Sequence, residues 1–286
     1  MGKAEKVKFD TKEAGLEIGL RFFNFFLKSE YLHYGYFTPE MEIDISNFAR
    51  AQRNYTEMLI SLIPDNVKTI LDVGCGSGKT AQMLLDKGYT VDCVSPGTLL
   101  TEHVRNLIGD RIELFNCNFE DLNTSKRYDL ILFSESFQYI PISESIKGAM
   151  MLSNPKGYIL IADFFKKDVE GKSPIGGGHN LAVWQAEMKK AEVEVIKSMD
   201  ITEKTSPTFD IVNRLYNEVL FPMWNLIFMF LENRLPLLLK LLKWKFKKKI
   251  EKIEKKHFTG QRNAANFIKY KKYILTVPSL LREEMF

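Results

Sequence analysis

The 286-residue sequence contains little cysteine and little histidine, with three and four residues respectively. So few cysteines exclude a disulfide-stapled secreted fold. The opening stretch MGKAEKVKFDTKEAG lacks the apolar run of a secretory signal, so we expect a reducing, cytoplasmic compartment. Apolar residues make up 45% and charged residues 27%, which excludes disorder and low-complexity arrays and indicates a folded globular protein.

No apolar run is long enough for a transmembrane helix. The longest, Phe221–Leu231, has about half of the roughly 20 residues that a bilayer requires. Glu232, Arg234 and Pro236 interrupt any extension of it. Further along, apolar positions recur at helical spacing with lysines between them, which predicts an amphipathic helix. These positions are Leu239, Leu242, Phe246, Ile250, Ile253 and His257.

Positive charge is concentrated in one short segment. Residues 240–256 hold nine lysines and two glutamates, a local charge of +7, whereas the whole chain is formally +4. The remainder of the chain is therefore net acidic. This distribution argues against a nucleic-acid-binding protein.

From Lys68 onward, short apolar runs of strand length alternate with helical stretches, a pattern typical of a parallel sheet covered on both faces. Strands are predicted at Thr69–Val73, Thr90–Ser95, Ile112–Cys117, Tyr128–Phe133, Tyr158–Ala162, Val193–Ser198 and Tyr273–Val277. Helices are predicted between them at Lys79–Lys87, Leu99–Leu107, Ser143–Leu152 and Leu181–Ala191. Two earlier helices are predicted, one over residues 11–30 and one from Pro39–Glu40 to Leu62.

The strongest local pattern is Ile70–Gly78, which follows the first predicted strand and opens a helix. Its three glycines, Gly74, Gly76 and Gly78, allow a sharp turn and a close approach of the backbone to a ligand. A dinucleotide-binding loop would need a glycine where Lys79 stands, and a Walker A loop would need one at Val73. Both nucleotide-loop interpretations are therefore excluded.

The remaining pattern, Asp-x-Gly-x-Gly-x-Gly in the first strand-to-helix turn, resembles that of class I S-adenosylmethionine-dependent methyltransferases. In that family the loop wraps the methionine part of the cofactor, and the acidic residue, here Asp72, supports the loop or contacts the ammonium group. The resemblance implies S-adenosylmethionine as cofactor and S-adenosylhomocysteine as product. The loop residues assigned to the cofactor are Asp72, Gly74, Cys75, Gly76 and Gly78.

The fold implied is α/β and Rossmann-like, with a seven-stranded, mostly parallel sheet, helices on both faces, an N-terminal helical lid and a helical insertion between the last two strands. We divide the chain into an N-terminal lid (1–66), a cofactor-binding core (67–201), a helical cap insertion (202–268), and the final strand with a tail (269–286).

Two positions depart from the family pattern. Cys93 stands where the family has the acid that binds the ribose. Asp92 is adjacent, but its side chain should face the other side of the strand. Ribose binding is therefore left to Ser95 or to backbone groups. Asn118 stands where the family has an acid near the adenine amine, and an amide oxygen can accept the same hydrogen bond. The predicted cofactor set is completed by Phe119, Glu120 and Ser134.

The segments Leu32–Phe37 and Ala51–Arg53 resemble a subgroup that includes cyclopropane fatty-acid synthases, sterol and tocopherol C-methyltransferases, and phosphoethanolamine and glycine/sarcosine N-methyltransferases. In that subgroup the aromatic stretch closes over the cofactor, which implies Tyr34 and Tyr36 near the sulfonium. The cyclopropane synthases carry Glu-His after the fourth strand, and this chain has no His there. We therefore expect plain methyl transfer to N, O or C.

A base is needed only when the acceptor must lose a proton. His179, which ends the glycine-rich stretch after the fifth strand, is the first candidate. Glu135, Tyr139 and Tyr34 are the other catalytic candidates, with Asp163 behind them. The spacing of Cys75, Cys93 and Cys117 matches no zinc pattern, so we expect no metal and interpret the cysteines as small apolar fillers.

The 202–268 insertion favours a hydrophobic small-molecule or lipid-like acceptor, because helices inserted there can roof the active site. The lysine-rich 240–256 helix would suit an anionic membrane surface and a peripheral location, but a dimer interface or a solvated cap is left open. An N-methyltransferase of a small polar amine and a non-catalytic cofactor-binding protein are the alternatives. A nucleic-acid partner is disfavoured by the charge and by the absence of an Asn/Asp-Pro-Pro-Tyr/Phe motif.

Overall fold

The computed structural model describes residues 11–191 and 193–280, and its centre is a seven-stranded sheet. The strands are β1 (Thr69–Val73), β2 (Thr90–Val94), β3 (Leu114–Phe115), β4 (Tyr128–Ser134), β5 (Ser153–Lys166), β6 (Glu194–Asp200) and β7 (Lys271–Ser279). They lie in the order β3-β2-β1-β4-β5-β7-β6. The pairs from β3 to β5 are parallel, and β7 is antiparallel to both neighbours. The predicted seven-stranded, mostly parallel Rossmann-like sheet is confirmed.

Helices cover both faces of this sheet. The first six are α1 (Thr11–Leu27), α2 (Phe48–Ser61), α3 (Lys79–Asp86), α4 (Thr98–Ile108), α5 (Ile142–Leu152) and α6 (Leu181–Lys190). Successive strand residues point to opposite faces, so the core is divided in two. Ile70 and Leu130 belong to one buried apolar cluster, whereas Leu71 and Ile131 belong to the other.

Several elements differ in extent from the sequence prediction, and three of them have a clear physical reason. The second helix begins at Phe48 rather than at Pro39–Glu40, because local hydrogen bonds hold the residues before it in turns: Met41 donates to Thr38, and the Asp44 side chain caps the 3-10 turn Ile45–Asn47. The third strand shortens to Leu114–Phe115, since the N–H of Glu113 is taken by the side chain of Asp92. The fifth strand is longer than predicted because it pairs with a strand on each side.

The insertion between β6 and β7 is helical, as predicted. It contains α7 (Thr202–Thr205), α8 (Pro207–Arg214), a π-helical turn (Leu215–Leu220), α9 (Phe221–Arg234), α10 (Pro236–His257) and α11 (Ala264–Tyr270). Prolines stand in the first turn of α8, α9 and α10, where the missing N–H costs no hydrogen bond. The domain boundaries remain a prediction, and parts of the predicted lid and tail lie outside the described residues.

Candidate active site

The glycine-rich loop follows β1 at the point where the strand order reverses. The connections from β1 and β4 leave in opposite directions there, which opens a crevice at the carboxyl edge of the sheet. Gly74, Gly76 and Gly78 have φ of 73°, 56° and 79°, a region that residues with a Cβ rarely adopt. A Cβ on Gly74 would lie 2.6 Å from the Cβ of Ser136, so this glycine lets the loops after β1 and β4 meet.

Gly76 faces a more open space. The nearest atom to a Cβ added there would be Cδ1 of Leu32, at 3.7 Å. Leu32 belongs to the segment before α2 that the sequence predicts to close over the site. That segment is fixed from α2, where the buried Gln52 amide donates to the carbonyls of Tyr31 and His33.

Glu135 directly follows β4 and joins the lid segment to the core. One of its carboxylate oxygens, Oε1, accepts from the backbone N–H of Tyr34 at 2.8 Å and from the hydroxyl of Tyr273 at 2.9 Å. The Tyr273 hydroxyl also pairs with that of Tyr55 at 2.9 Å, and Tyr55 lies 3.2 Å from the hydroxyl of Ser134. Burial raises the pKa of Glu135 to about 8. This network can hold a proton at the carboxyl edge of β4.

Aromatic rings surround the Glu135 network. The ring of Tyr34 lies 6.0 Å from Phe164 and 5.0 Å from Phe209, and Phe209 stacks on Phe267 at 4.4 Å. Phe209 belongs to α8 and Phe267 to α11, so the base of the 202–268 insertion packs directly against the lid segment. The result is an apolar wall beside a carboxylate.

His179 holds the loop after β4. Its Nε2 lies 3.0 Å from the carbonyl of Phe137 and 2.8 Å from that of Ile140. Carbonyl oxygens only accept, so Nε2 must carry a proton and cannot act as the base in this arrangement. This geometry favours a role for His179 in positioning the loop after β4. The catalytic role of His179 stays a prediction.

Asp163 ties the same loop to the glycine-rich stretch after β5. The Asp163 carboxylate accepts from the backbone N–H of Gln138 at 2.9 Å and from the Gln138 side-chain amide at 3.0 Å. The amide oxygen of Gln138 in turn accepts from the backbone N–H of Gly178 at 3.0 Å. Burial raises the pKa of Asp163 to about 7. Tyr139, the residue after Gln138, is 70% exposed.

Comparison with known proteins agrees with this architecture. The family model described as a methyltransferase domain matches residues 45–203, more than half of the chain. This chain belongs to that methyltransferase family. The geranyl diphosphate C-methyltransferase of Streptomyces coelicolor has the same fold, with a TM-score of 0.64 and 13% identity over 96% of this chain and 99% of that one.

Sequence relatives of this methyltransferase are distant. A malonyl-[acyl-carrier protein] O-methyltransferase of Anoxybacillus flavithermus is 27% identical over 123 residues, 41% of this chain and 47% of that protein. Methyltransferase GfsG of Streptomyces halstedii is 27% identical over 198 residues, 62% of this chain and 70% of that one. The chain spans about half the length of the first of these relatives. The similarity supports the shared methyltransferase core.

The methyl donor is S-adenosylmethionine, as predicted, and the loop after β1 is suited to it. Asp72 is 2% exposed, and its Oδ2 has no hydrogen-bond partner among the residues that the structure describes. Burial raises its pKa to about 7. A buried carboxylate oxygen without a donor fits the ammonium group of the cofactor, and the space beside Gly76 leaves room for the methionine part.

The predicted ribose contacts lie at the end of β2. Cys93 is fully buried with its thiol against Cys75, so it packs beneath the glycine loop. Asp92 points away, as predicted, and accepts from Lys126 and Tyr128. Ser95 follows β2 directly and is 7% exposed, whereas Cys93 is fully buried.

The predicted adenine contacts form the turn after β3. Asn118 donates its amide to Asp121 at 2.8 Å, which leaves its side-chain oxygen as the acceptor, and Glu120 is exposed beside it. The ring of Phe119 is buried against Phe133, so only its backbone can face a ligand. Tyr36 packs half-buried on the core cluster that contains Tyr55. The cofactor roles of these residues remain predictions.

The sequence did not identify four residues of the site: Tyr55, Tyr273, Phe209 and Phe267. Tyr55 and Tyr273 are fully buried, yet each sits in a stretch that looks like an ordinary amphipathic helix or an apolar strand. A buried tyrosine usually has a partner for its hydroxyl, which was the only available signal. Their partners are more than 75 residues away, beyond the reach of a local pattern.

Proposed function

We propose that this methyltransferase moves the methyl group of S-adenosylmethionine to a lipophilic acceptor bound beside Tyr34, and that Glu135 removes the acceptor's proton where one must leave. The observation that carries the proposal is the position of Glu135. Its carboxylate contacts the lid segment through Tyr34 and the core through Tyr273, at the edge of the sheet where the cofactor loop lies. A base in that place can reach both halves of the closed site.

The acceptor class is inferred from the surroundings of Glu135. Rings from the lid segment, β5 and the insertion meet at Tyr34, and none of them brings a charge. Ligand sites lined by aromatic side chains favour apolar ligands oriented by a few polar groups. An acyl group carried by a protein, as the names of the distant relatives state for their own substrate, is one form that such an acceptor could take.

Each residue of the site has a distinct role in this proposal. The cofactor supplies an electrophilic methyl group, so positioning and exclusion of water do most of the work. Asp72 accepts from the ammonium group, and Gly74 and Gly76 keep the loop close. Burial raises the pKa of Glu135 to about 8, so the ionised form, which is the competent base, becomes more populated as the pH rises.

A cationic amine is the second candidate acceptor. Two carboxylates, Glu135 and Asp163, lie near the ring of Tyr34, and a ring face together with anionic groups can stabilise a cation. The wall of uncharged rings favours the lipophilic acceptor over this one. A protein that binds the cofactor without turnover is the third candidate.

Methyl transfer from radiolabelled cofactor separates these candidates. We expect label in long-chain hydroxy or carboxylic acceptors, with lower kcat/KM for short-chain analogues and none for small polar amines. Glu135→Gln should lower kcat on acceptors that lose a proton, whereas Glu194→Gln, an exposed control in the edge strand β6, should have no effect on kcat. Labelling of amines alone, or full activity of Glu135→Gln, would contradict the proposal.

Cofactor binding is measured separately by calorimetry with S-adenosylhomocysteine. Gly76→Arg should abolish binding because its side chain fills the space between the loop and Leu32. Tight binding without turnover on any acceptor would favour the non-catalytic alternative. Unchanged binding by Gly76→Arg would refute the assigned site.

A further inference from the structure

The helices α9 and α10 form a hairpin (residues 221–257) whose two arms contact each other near the end close to the core. The indole N–H of Trp224 donates to Glu254 at 3.3 Å, and the Phe221 ring lies 5.0 Å from Phe258. Further out, the arms enclose an open cleft of about 570 Å³ lined by Trp224, Phe228 and residues of α10. The outer part of the hairpin is therefore incompletely packed.

Large apolar side chains are exposed at the far end of this hairpin, residues 226–244, which we name the hairpin tip. Leu237 is 84% exposed, Trp244 78% and Leu226 63%. The complete set is Leu226, Ile227, Met229, Phe230, Leu235, Leu237, Leu238, Leu241 and Trp244. Exposed apolar surface on this scale marks an interaction site, because soluble monomers rarely carry it.

Lysines accompany the apolar residues of the tip. Lys240 and Lys243 lie within it, and Lys245, Lys247, Lys248 and Lys249 follow in the next turns of α10, all of them exposed. The whole 240–256 segment carries a charge of +7. The ammonium groups of Lys245 and Lys249 lie within 5.8 Å of the Phe246 ring, so their stems cover apolar surface while their charges reach solvent.

We propose that the hairpin tip docks on an anionic lipid bilayer, with its apolar side chains in the interface and the lysines of α10 against lipid phosphates. Apolar side chains next to a basic cluster are the combination that binds membrane surfaces. Within the described residues no helix combines the length and the hydropathy needed to cross a bilayer.

Two other occupants fit less well. A second copy of this chain in a symmetric contact would bring one lysine-rich segment against another, and the like charges would repel. A nucleic acid would neutralise the lysines but leave Leu237 and Trp244 in water. An anionic bilayer accounts for both the charge and the apolar surface.

The proposal deepens the proposed function, because docking would place the site beside lipophilic acceptors, but its test needs neither cofactor nor acceptor. The purified chain is mixed with phosphatidylcholine vesicles with or without phosphatidylglycerol, and vesicle flotation is scored. We expect flotation with the anionic vesicles only. Failure of methyl transfer would leave this result unchanged, so the two proposals fail separately.

Tryptophan fluorescence reports the depth of the tip. Trp184 is buried and Trp224 is half-buried in the hairpin, whereas Trp244 is exposed. Anionic vesicles should shift the emission to shorter wavelength, and brominated acyl chains should quench it. Trp244→Phe should lose most of both responses while still floating, and a remaining response would come from Trp224, which lines the same cleft. Emission of the unchanged chain that neither shifts nor is quenched would contradict insertion of the tip.

Charge reversal tests the lysines. Each basic residue near an anionic surface strengthens binding roughly fivefold, so the loss of three lysines in Lys245→Glu with Lys248→Glu and Lys249→Glu should weaken vesicle binding by at least about 100-fold, and the added glutamates should weaken it further. Reversal of the exposed Lys68, Lys87 and Lys147 changes the net charge equally and should have a much smaller effect. Equal loss in both triple variants would indicate a general charge effect and overturn the proposal.

Apolar contact is tested by Leu237→Ser with Leu241→Ser, against Met151→Ser with Val183→Ser at comparably exposed sites elsewhere. Only the first pair should reduce flotation. Dimers in light scattering that disappear in the first pair, without any vesicle binding, would assign the tip to a second copy instead. Retention on RNA without flotation would assign it to nucleic acid.

Discussion

Alanine at position 74 would bring two loops of the active site into steric conflict. Gly74 has a φ of 73°, and an added Cβ would stand 2.6 Å from the Cβ of Ser136. The left-handed conformation costs a residue with a Cβ roughly 1–2 kcal/mol. Overpacking of a tight contact adds about 1–3 kcal/mol. We therefore expect Gly74→Ala to lower the free energy of unfolding by about 2–5 kcal/mol.

Gly76→Ala is the matched control, because Gly76 has a similar φ of 56° but only Leu32 near the added Cβ, at 3.7 Å. It should cost only the conformational part, roughly 1–2 kcal/mol. Ser136→Gly removes the Cβ with which the added methyl group at position 74 collides. In the Gly74→Ala background it should recover the overpacking part of the loss.

The assay is urea unfolding of the four single and double variants, followed by calorimetry with S-adenosylhomocysteine. The interaction energy of the double-mutant cycle isolates the contact between positions 74 and 136. Gly74→Ala should also weaken binding, since it separates the loops after β1 and β4. Equal destabilisation by Gly74→Ala and Gly76→Ala, with no rescue by Ser136→Gly, would refute the close approach of the two loops.

Three further outcomes are expected. The pKa of Glu135 rises from 4.5 to about 8 on folding, so the native state keeps a proton that the unfolded chain releases, and stability falls as the pH rises through this range. Glu135→Gln should remove that dependence, on the order of 3–4 kcal/mol between pH 5 and pH 8 in urea unfolding; parallel profiles for both proteins would contradict this. His179→Ala should lower the free energy of unfolding by about 1–3 kcal/mol, because its contacts with two carbonyl oxygens are lost. The methyl-transfer rate of this variant should still rise with pH near pH 8, and loss of that rise would identify His179 as the base. Cys93→Asp should lower the melting temperature without tightening cofactor binding, because the position is fully buried; tighter binding with stability retained would show that it faces the ribose.

Much of the fold follows from local sequence. The strand Thr69–Val73 has the predicted bounds, and the helix after Gly78 starts where the glycine run ends. Short apolar runs between amphipathic helices have few alternatives to a parallel sheet, and the glycine spacing identifies the cofactor loop without tertiary information. The predicted start of the second helix was wrong because turns, among them the Asp44-capped 3-10 turn Ile45–Asn47, occupy the residues before Phe48.

The candidate base depended on the tertiary structure. From the sequence, His179 was the first candidate and Glu135 an alternative, since each follows a strand at the same edge of the sheet. Folding places two carbonyls against His179 and leaves Glu135 between Tyr34 and Tyr273, which are 101 and 138 residues away along the chain. Residue type and spacing determine local backbone structure, whereas the proton affinity of a side chain depends on the partners and burial that the whole fold provides.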